Sequence, residues 1–249
     1  MTRMRNVVVA AVMSMAATVP ASAATFTVNP TQIFLGGRTA TALLTLKNDS
    51  DESLRFQLTA FAWQQTPGGE IELTPTQDVV FFPSLLTLGP REERRIRVGS
   101  SVVAATLERT YRVFVEELPP VDGGAPGSAV RVLTKMGIPV FIRPAAEKTT
   151  ATLRDLIVRD GALRFTVANG GSVHFVPKKV QVRGVARDTT PVFERDVPAW
   201  YILAGGRREF AFPLPEPDCT RVSSLVVDVE FGSTAVKETL PMPEGACTR

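Results

Sequence analysis

The chain has 249 residues, a formal net charge of +3, one histidine and two cysteines. A single histidine leaves little material for a hydrolase triad or a histidine-built metal site. No basic run is interleaved with aromatics, so a nucleic-acid surface is not expected.

Residues 1–23 read as a targeting segment. Arg3 and Arg5 give the positive start, Val7 to Met15 the apolar stretch, and Ala21-Ser22-Ala23 the small-x-small cleavage site. The apolar run is too short to span a bilayer, so an exported chain that does not cross a membrane is expected. Removing the two arginines takes the formal charge from +3 to +1, so the basic balance of the precursor says little about partners. The remaining chain, roughly 225 residues, suits one large or two modest domains.

The reading along the chain is strand after strand. Phe26-Thr27-Val28 opens it. Thr41 to Asn48 runs into a turn, Leu54 to Trp63 alternates, and Gly68-Gly69 marks another turn. Val79 to Phe82 stops at Pro83. Arg94 to Val98 alternates basic and apolar, and Tyr111 to Leu118 alternates until Pro119-Pro120. Period-two alternation places successive side chains on opposite faces of a pleat.

Ala129 to Pro144 follows a Gly-rich tip, Asp122 to Gly127. Val130 and Val132 alternate with Arg131, and then Gly137 and Pro139 interrupt. Proline cannot donate to a ladder, so an edge strand or a bulge is expected there rather than a central strand. On pattern alone the apolar row either faces its own sheet or is left for a partner. Ala145 to Thr152 reads as a linker. Beyond it come strands at Ala162 to Ala168, Lys178 to Val185, Phe210 to Leu214 and Leu225 to Phe231. Strands at this spacing, with turns between them and no helical period, indicate an all-β chain of sandwiches. The expected units are 24–146 and 147–249.

Little chemistry is visible. His174 follows a turn beside Phe175 and reads as a surface or packing residue, and no glycine pattern cradles a phosphate. Glu116 and Glu117 leave opposite faces of one strand and cannot act as a close pair. No enzyme activity, cofactor or metal is expected. Cys219 and Cys247 are expected to pair, as cysteines of an exported chain do. Two classes remain: an assembly chaperone, which needs an exposed alternating edge, and an adhesin or carbohydrate-binding module, which needs exposed aromatics. Trp63 and Trp200 are the only tryptophans, and Trp63 sits in an alternating strand that suggests burial.

Several pieces together resemble the PapD-like chaperones of chaperone–usher pili. They are Pro83 followed by Leu88 and Pro90, Arg97, Tyr111-Arg112-Val113-Phe114 with Glu117-Leu118-Pro119-Pro120, and Phe141-Ile142-Arg143-Pro144. Asn169 and Glu230-Phe231-Gly232 extend the likeness to the second half. The resemblance implies two immunoglobulin-like sandwiches at an angle with a cleft between them. It implies a periplasmic chaperone that lends an edge strand to pilus subunits, by strand addition, and delivers them to an outer-membrane usher. The lent face would carry Val130, Val132, Thr134 and Met136, and the free edge could self-associate. Glu117, Arg143 and Glu230 would meet between the domains.

The chain also departs from the better-known members. Gln32 and Pro139 stand where those members carry the arginine and lysine that grip the subunit's C-terminal carboxylate. That places it with the divergent archaic and spore-coat-like branch. Lys135 and Arg112 are then the candidates for a carboxylate anchor.

Overall fold

The computed structural model describes residues 26–37, 39–121 and 132–247. The expected targeting segment 1–23 and Val130 lie outside the described residues. Everything described is strand, turn or irregular chain, apart from one 3-10 turn at Asp218–Arg221.

Ten strands build the first sandwich: β1 (Phe26–Asn29), β2 (Ile33–Leu35), β3 (Thr41–Asn48), β4 (Leu54–Gln65), β5 (Ile71–Pro75), β6 (Val79–Phe82), β7 (Leu85–Leu88), β8 (Glu93–Ser100), β9 (Arg109–Leu118) and β10 (Lys135–Ile142). One sheet has the order β1-β3-β8-β6. The other has the order β2-β10-β9-β4-β5, with β7 also paired to β4. Leu44 and Ile96 from the first sheet meet Phe56 and Val113 from the second in a fully buried core. Seven strands build the second sandwich: β11 (Ala151–Arg159), β12 (Ala162–Asn169), β13 (Lys179–Val185), β14 (Pro191–Asp196), β15 (Arg207–Pro213), β16 (Ser224–Phe231) and β17 (Thr234–Pro241). Its sheets run β11-β12-β15 and β14-β13-β16-β17, around a core that includes Phe165, Val182, Val227 and Phe231. These are two immunoglobulin-like sandwiches, each with its own core.

The sequence pattern explains the strands that pack on both sides. In β9, Tyr111, Val113 and Val115 point inward, while Arg112, Phe114 and Glu116 point out. Tyr111 keeps its hydroxyl satisfied by donating to Asp78 Oδ2 at 2.8 Å, as a buried phenol requires. Burial and that carboxylate push its pKa up to about 12.

Three sequence expectations are corrected. The linker expected over Ala145 to Thr152 ends at Thr150, because Ala151 already pairs with Asn169 in β11. The bulge expected at Gly137 and Pro139 is absent: β10 pairs with β9 in unbroken register from Lys135↔Glu116 to Ile142↔Arg109. The strand also begins at Lys135 rather than upstream, so Val132 and Thr134 precede the ladder. Proline is accommodated because β10 lies next to the sheet edge, bordered only by short β2 over Val140–Ile142.

Cys219, in the 3-10 turn, is bonded to Cys247, with Cα atoms 5.7 Å apart and a sequence separation of 28. The bond ties the end of the chain to the base of the second sandwich. A loop of this length corresponds to about 3–4 kcal/mol of stabilisation in the chain-entropy model. The C219S/C247S double variant should therefore unfold at lower denaturant by that amount, and reductant should shift the wild type equally. A variant with an unchanged midpoint would show that the bond adds nothing to stability.

Candidate functional site: the cleft between the sandwiches

Alternation decides what faces the second sandwich. The outward residues of β9 include Arg112 and Phe114, and those of β10 are Lys135, Gly137, Pro139 and Phe141. From β4 come Phe61 and Trp63, with Phe61 directly opposite Arg112 in register. Trp63, Phe141 and Leu203 form a third buried cluster, distinct from the two sandwich cores, with Phe34 and Tyr201 packed on it. Leu203 and Tyr201 belong to the segment between β14 and β15, so this cluster joins the two sandwiches. A cleft of about 550 Å³ opens beside it, lined from both sides by residues that include Trp63, Tyr111, Leu203 and Gly206.

Arg112 is the central cation of this surface. Its guanidinium carbon lies 4.3 Å from the Trp63 ring centroid and 5.0 Å from that of Trp200. Burial pushes its pKa below the ordinary arginine value, with the Tyr201 hydroxyl opposing, and it stays charged. Arg112 Nε and Trp63 Nε1 are both buried donors without a hydrogen-bond partner among the described residues. Orphaned donors of this kind need an explanation, since leaving one unpaired costs about 1–3 kcal/mol. Gly137 makes room for the arrangement. A Cβ there would lie 2.9 Å from Phe114 Cε1 and 3.4 Å from Arg112 Nη1.

The other sequence candidates fall as follows. Pro139 is buried on β10 and is the cross-strand partner of Arg112. Gln32 is exposed before β2. Lys135 pairs with Glu116 at 2.8 Å and lies 5.0 Å over the Phe114 ring, so its charge is already met. Val132 is 68% exposed, Thr134 is half-buried, and Met136 packs against the first core. Among the described residues, no strand covers the second edge of β10 over 135–139.

The cluster expected from Glu117, Arg143 and Glu230 does not assemble. Glu117 sits at the Lys135 end of the β9–β10 ladder and Arg143 follows the Ile142 end, roughly 30 Å away at strand rise. Glu117 is buried and accepts a hydrogen bond from Thr134 N at 3.3 Å. Arg143 pairs with Glu147 at 3.3 Å and stacks over Phe34 at 4.0 Å. Glu230 is exposed beside Lys179 in the second sandwich.

The pair that joins the sandwiches is Glu108 and His174, which the sequence reading missed. Glu108 Oε1 accepts from the His174 backbone N–H at 3.0 Å and lies 2.5 Å from His174 Nδ1. The Glu108 side chain is fully buried and that of His174 is 13% exposed. The imidazole stacks on Phe141 at 3.9 Å. Both residues lie just outside strands, so alternation could not single them out. The one usable signal was that the only histidine follows the Asn169-Gly170-Gly171 turn at the edge of the second sandwich.

Fold and cleft together define a protein of two immunoglobulin-like sandwiches set at an angle around a cleft. The chain belongs to the pili and flagellar-assembly chaperone family: residues 25–148 match the PapD N-terminal domain. Its fold is shared by solved chaperone structures. One comes from the CsuC–CsuE chaperone–tip adhesion subunit pre-assembly complex of the archaic chaperone-usher Csu pili of Acinetobacter baumannii. It is 16% identical, covering 87% of this chain and 98% of that one, with a TM-score of 0.59. The class 5 fimbriae chaperone CfaA is 13% identical over 87% of this chain and all of its own, with a TM-score of 0.60. The complex of the Salmonella enterica SafA pilin with the SafB chaperone gives 16% identity, 87% and 97% coverage and a TM-score of 0.57. No curated protein matches the chain in sequence. Among the described residues, no helix is long and apolar enough to cross a membrane, and no group of three or more His, Cys, Asp or Glu could hold a metal ion.

Truncating His174 would strand a buried carboxylate at the seam. His174→Ala should cost about 3 kcal/mol in denaturant unfolding, well above a surface substitution. A cost under about 0.5 kcal/mol would mean that the pair contributes nothing to the seam.

Proposed function

We propose that the protein is a periplasmic chaperone that holds pilus subunits by strand donation and passes them to an outer-membrane usher. The observation that carries this reading is the uncovered edge of β10, with Val132 exposed at its mouth. An unpaired row of backbone donors and acceptors is a template for another chain, and proteins that do not use such an edge cover or charge it. Residues 24–146 supply the capturing domain, and residues 147–249 close the cleft from the other side. The lent face is Val130, Val132, Thr134 and Met136, which share one parity. Free protein would shield the same edge by self-association. The family membership of the first sandwich supports the class, and the missing basic pair at Gln32 and Pro139 supports the archaic branch.

Arg112 is the residue we assign to the subunit's terminal carboxylate. It stands one rung across from Pro139, so a guanidinium from β9 reaches the space that a lysine at 139 would have filled. Its Nε is an unspent buried donor, and a carboxylate desolvated in a cleft needs a positive partner. Lys135 is the weaker candidate because Glu116 already holds it.

Three variants test this reading by co-purification with a subunit encoded beside the chaperone gene. Val132→Asp should abolish capture while the chaperone stays folded, because Val132 makes no core contact. Unchanged capture would overturn the donated face. Arg112→Ala should weaken capture of a subunit with its native C-terminus at least tenfold, the value of a charge-assisted hydrogen bond of about 1.5–3 kcal/mol. The same variant should not affect a subunit extended by a few residues, and Lys135→Ala should affect neither. Equal losses for both subunits would remove the carboxylate from Arg112.

A further inference from the structure

We infer that Gln65 is a positioning residue that assembles the Arg112 anchor across the seam, an inference that rests on the carboxylate reading of Arg112. The guanidinium packs over two adjoining tryptophan rings, one from each sandwich: Trp63 on β4 and Trp200 in the segment before β15. The rings lie 5.8 Å apart, and Tyr201 packs edge-on against both, at 5.2 Å from Trp63 and 5.0 Å from Trp200. Half of the box therefore belongs to a segment that is not part of the sheet carrying Arg112. That segment is tied to its own sandwich at Ile202, which exchanges backbone hydrogen bonds with Phe175, while Trp200 and Tyr201 themselves belong to no strand ladder.

Gln65 ties the segment to the first sandwich. Its Nε2 donates to the Tyr201 carbonyl at 3.1 Å and its Oε1 accepts from the Leu203 N–H at 3.3 Å. One side-chain amide thus reads two backbone groups two residues apart, as a neighbouring strand would. Gln65 ends β4, two residues beyond Trp63, so the strand that supplies one ring also grips the backbone behind the other. The turn that follows is docked as well: Glu209 N donates to the Pro67 carbonyl at 2.8 Å, and the Arg208 guanidinium packs against Gly69. The tip of the β4–β5 hairpin therefore reaches out of the first sandwich and clamps the second. A guanidinium seated on two rings loses little freedom when it meets a carboxylate, whereas releasing one ring opens Arg112 to solvent.

The two tryptophans are the only ones in the chain, so the box carries its own optical signature. The test uses the full-length mature protein and Gln65→Met, which keeps the side-chain length and removes the amide. Near-ultraviolet circular dichroism reads the Trp63–Trp200 geometry. Co-purification reads capture of the native and extended subunits described above. Gln64→Ala, on the exposed neighbour, is the control. The expected result is loss of most of the tryptophan band with the far-ultraviolet spectrum retained. Capture of the native-terminus subunit should fall about tenfold, with the extended subunit unaffected. An unchanged band, or equal losses for both subunits, overturns the positioning role. If Gln65→Met does not fold, Gln65→Glu, which keeps the acceptor and loses the donor, is read against the same two outcomes. If Arg112→Ala leaves capture intact, the anchor reading fails; the band then still decides whether Gln65 holds the box.

Discussion

Eight consecutive rungs tie β10 to β9 without a shift of register, and the cleft depends on that register. Side chains alternate across a pleat, so Met136, Ile138, Val140 and Ile142 enter the first core while Phe141 enters the cluster at the seam. Slipping the pairing by one residue would exchange the two sets. The buried isoleucines and valine hold the strand against such a slip. Because the C-terminal half of β10 is anchored so heavily, its N-terminal half can leave one edge bare without fraying. β2 covers only the last three residues, which limits how much backbone the protein satisfies for itself.

The same pleat makes the two sandwiches interdependent. Trp63 and Phe141 come from one sheet of the first sandwich, and Leu203 comes from the second. Aromatic side chains of this size bury on the order of 150–250 Å² each, which gives the seam an apolar core of its own. Directional bonds then fix the angle. His174 stacks on Phe141 and meets Glu108, and the backbone of Glu108 donates to Ser172 O at 2.8 Å. A buried polar pair is weak evidence for stability and better evidence for specificity of arrangement. Here it selects one orientation of the second sandwich over others that would bury the same apolar area.

Strands with one face in a core were legible in the sequence. Thr41 to Asn48 and Val79 to Phe82 have the bounds expected from alternation and turn residues. The strands that were missed lack the signal for physical reasons. β5 is exposed along its whole length, and β17 nearly so, so neither needs apolar alternation. β11 carries a register shift between Arg154 and Ile157, with Asp155 in the left-handed region, which breaks the period. The seam was less legible than the strands. Glu117 matched a family pattern by its place near Pro119-Pro120, yet it lies at the far end of the ladder from Arg143. Glu108 and His174 are adjacent only because two loops from different sandwiches converge. Nothing local in either loop encodes that meeting.

Pro139 leaves the cleft-facing side of β10 without a long side chain opposite Arg112. Proline supplies neither charge nor N–H, and its ring flattens the cleft-facing surface of β10 where a longer side chain would stand. Gly137, on the same face two residues earlier, removes a Cβ that would press on Phe114 and Arg112. Two consecutive outward positions of β10 are thus stripped of reach, and the side chain of Arg112 occupies the space they vacate. Arginine suits that space better than lysine. Its planar group lies over the adjoining rings of Trp63 and Trp200, whereas an ammonium there would lose hydration without the same stacking. Because one ring comes from each sandwich, the surroundings of Arg112 depend on how the sandwiches meet.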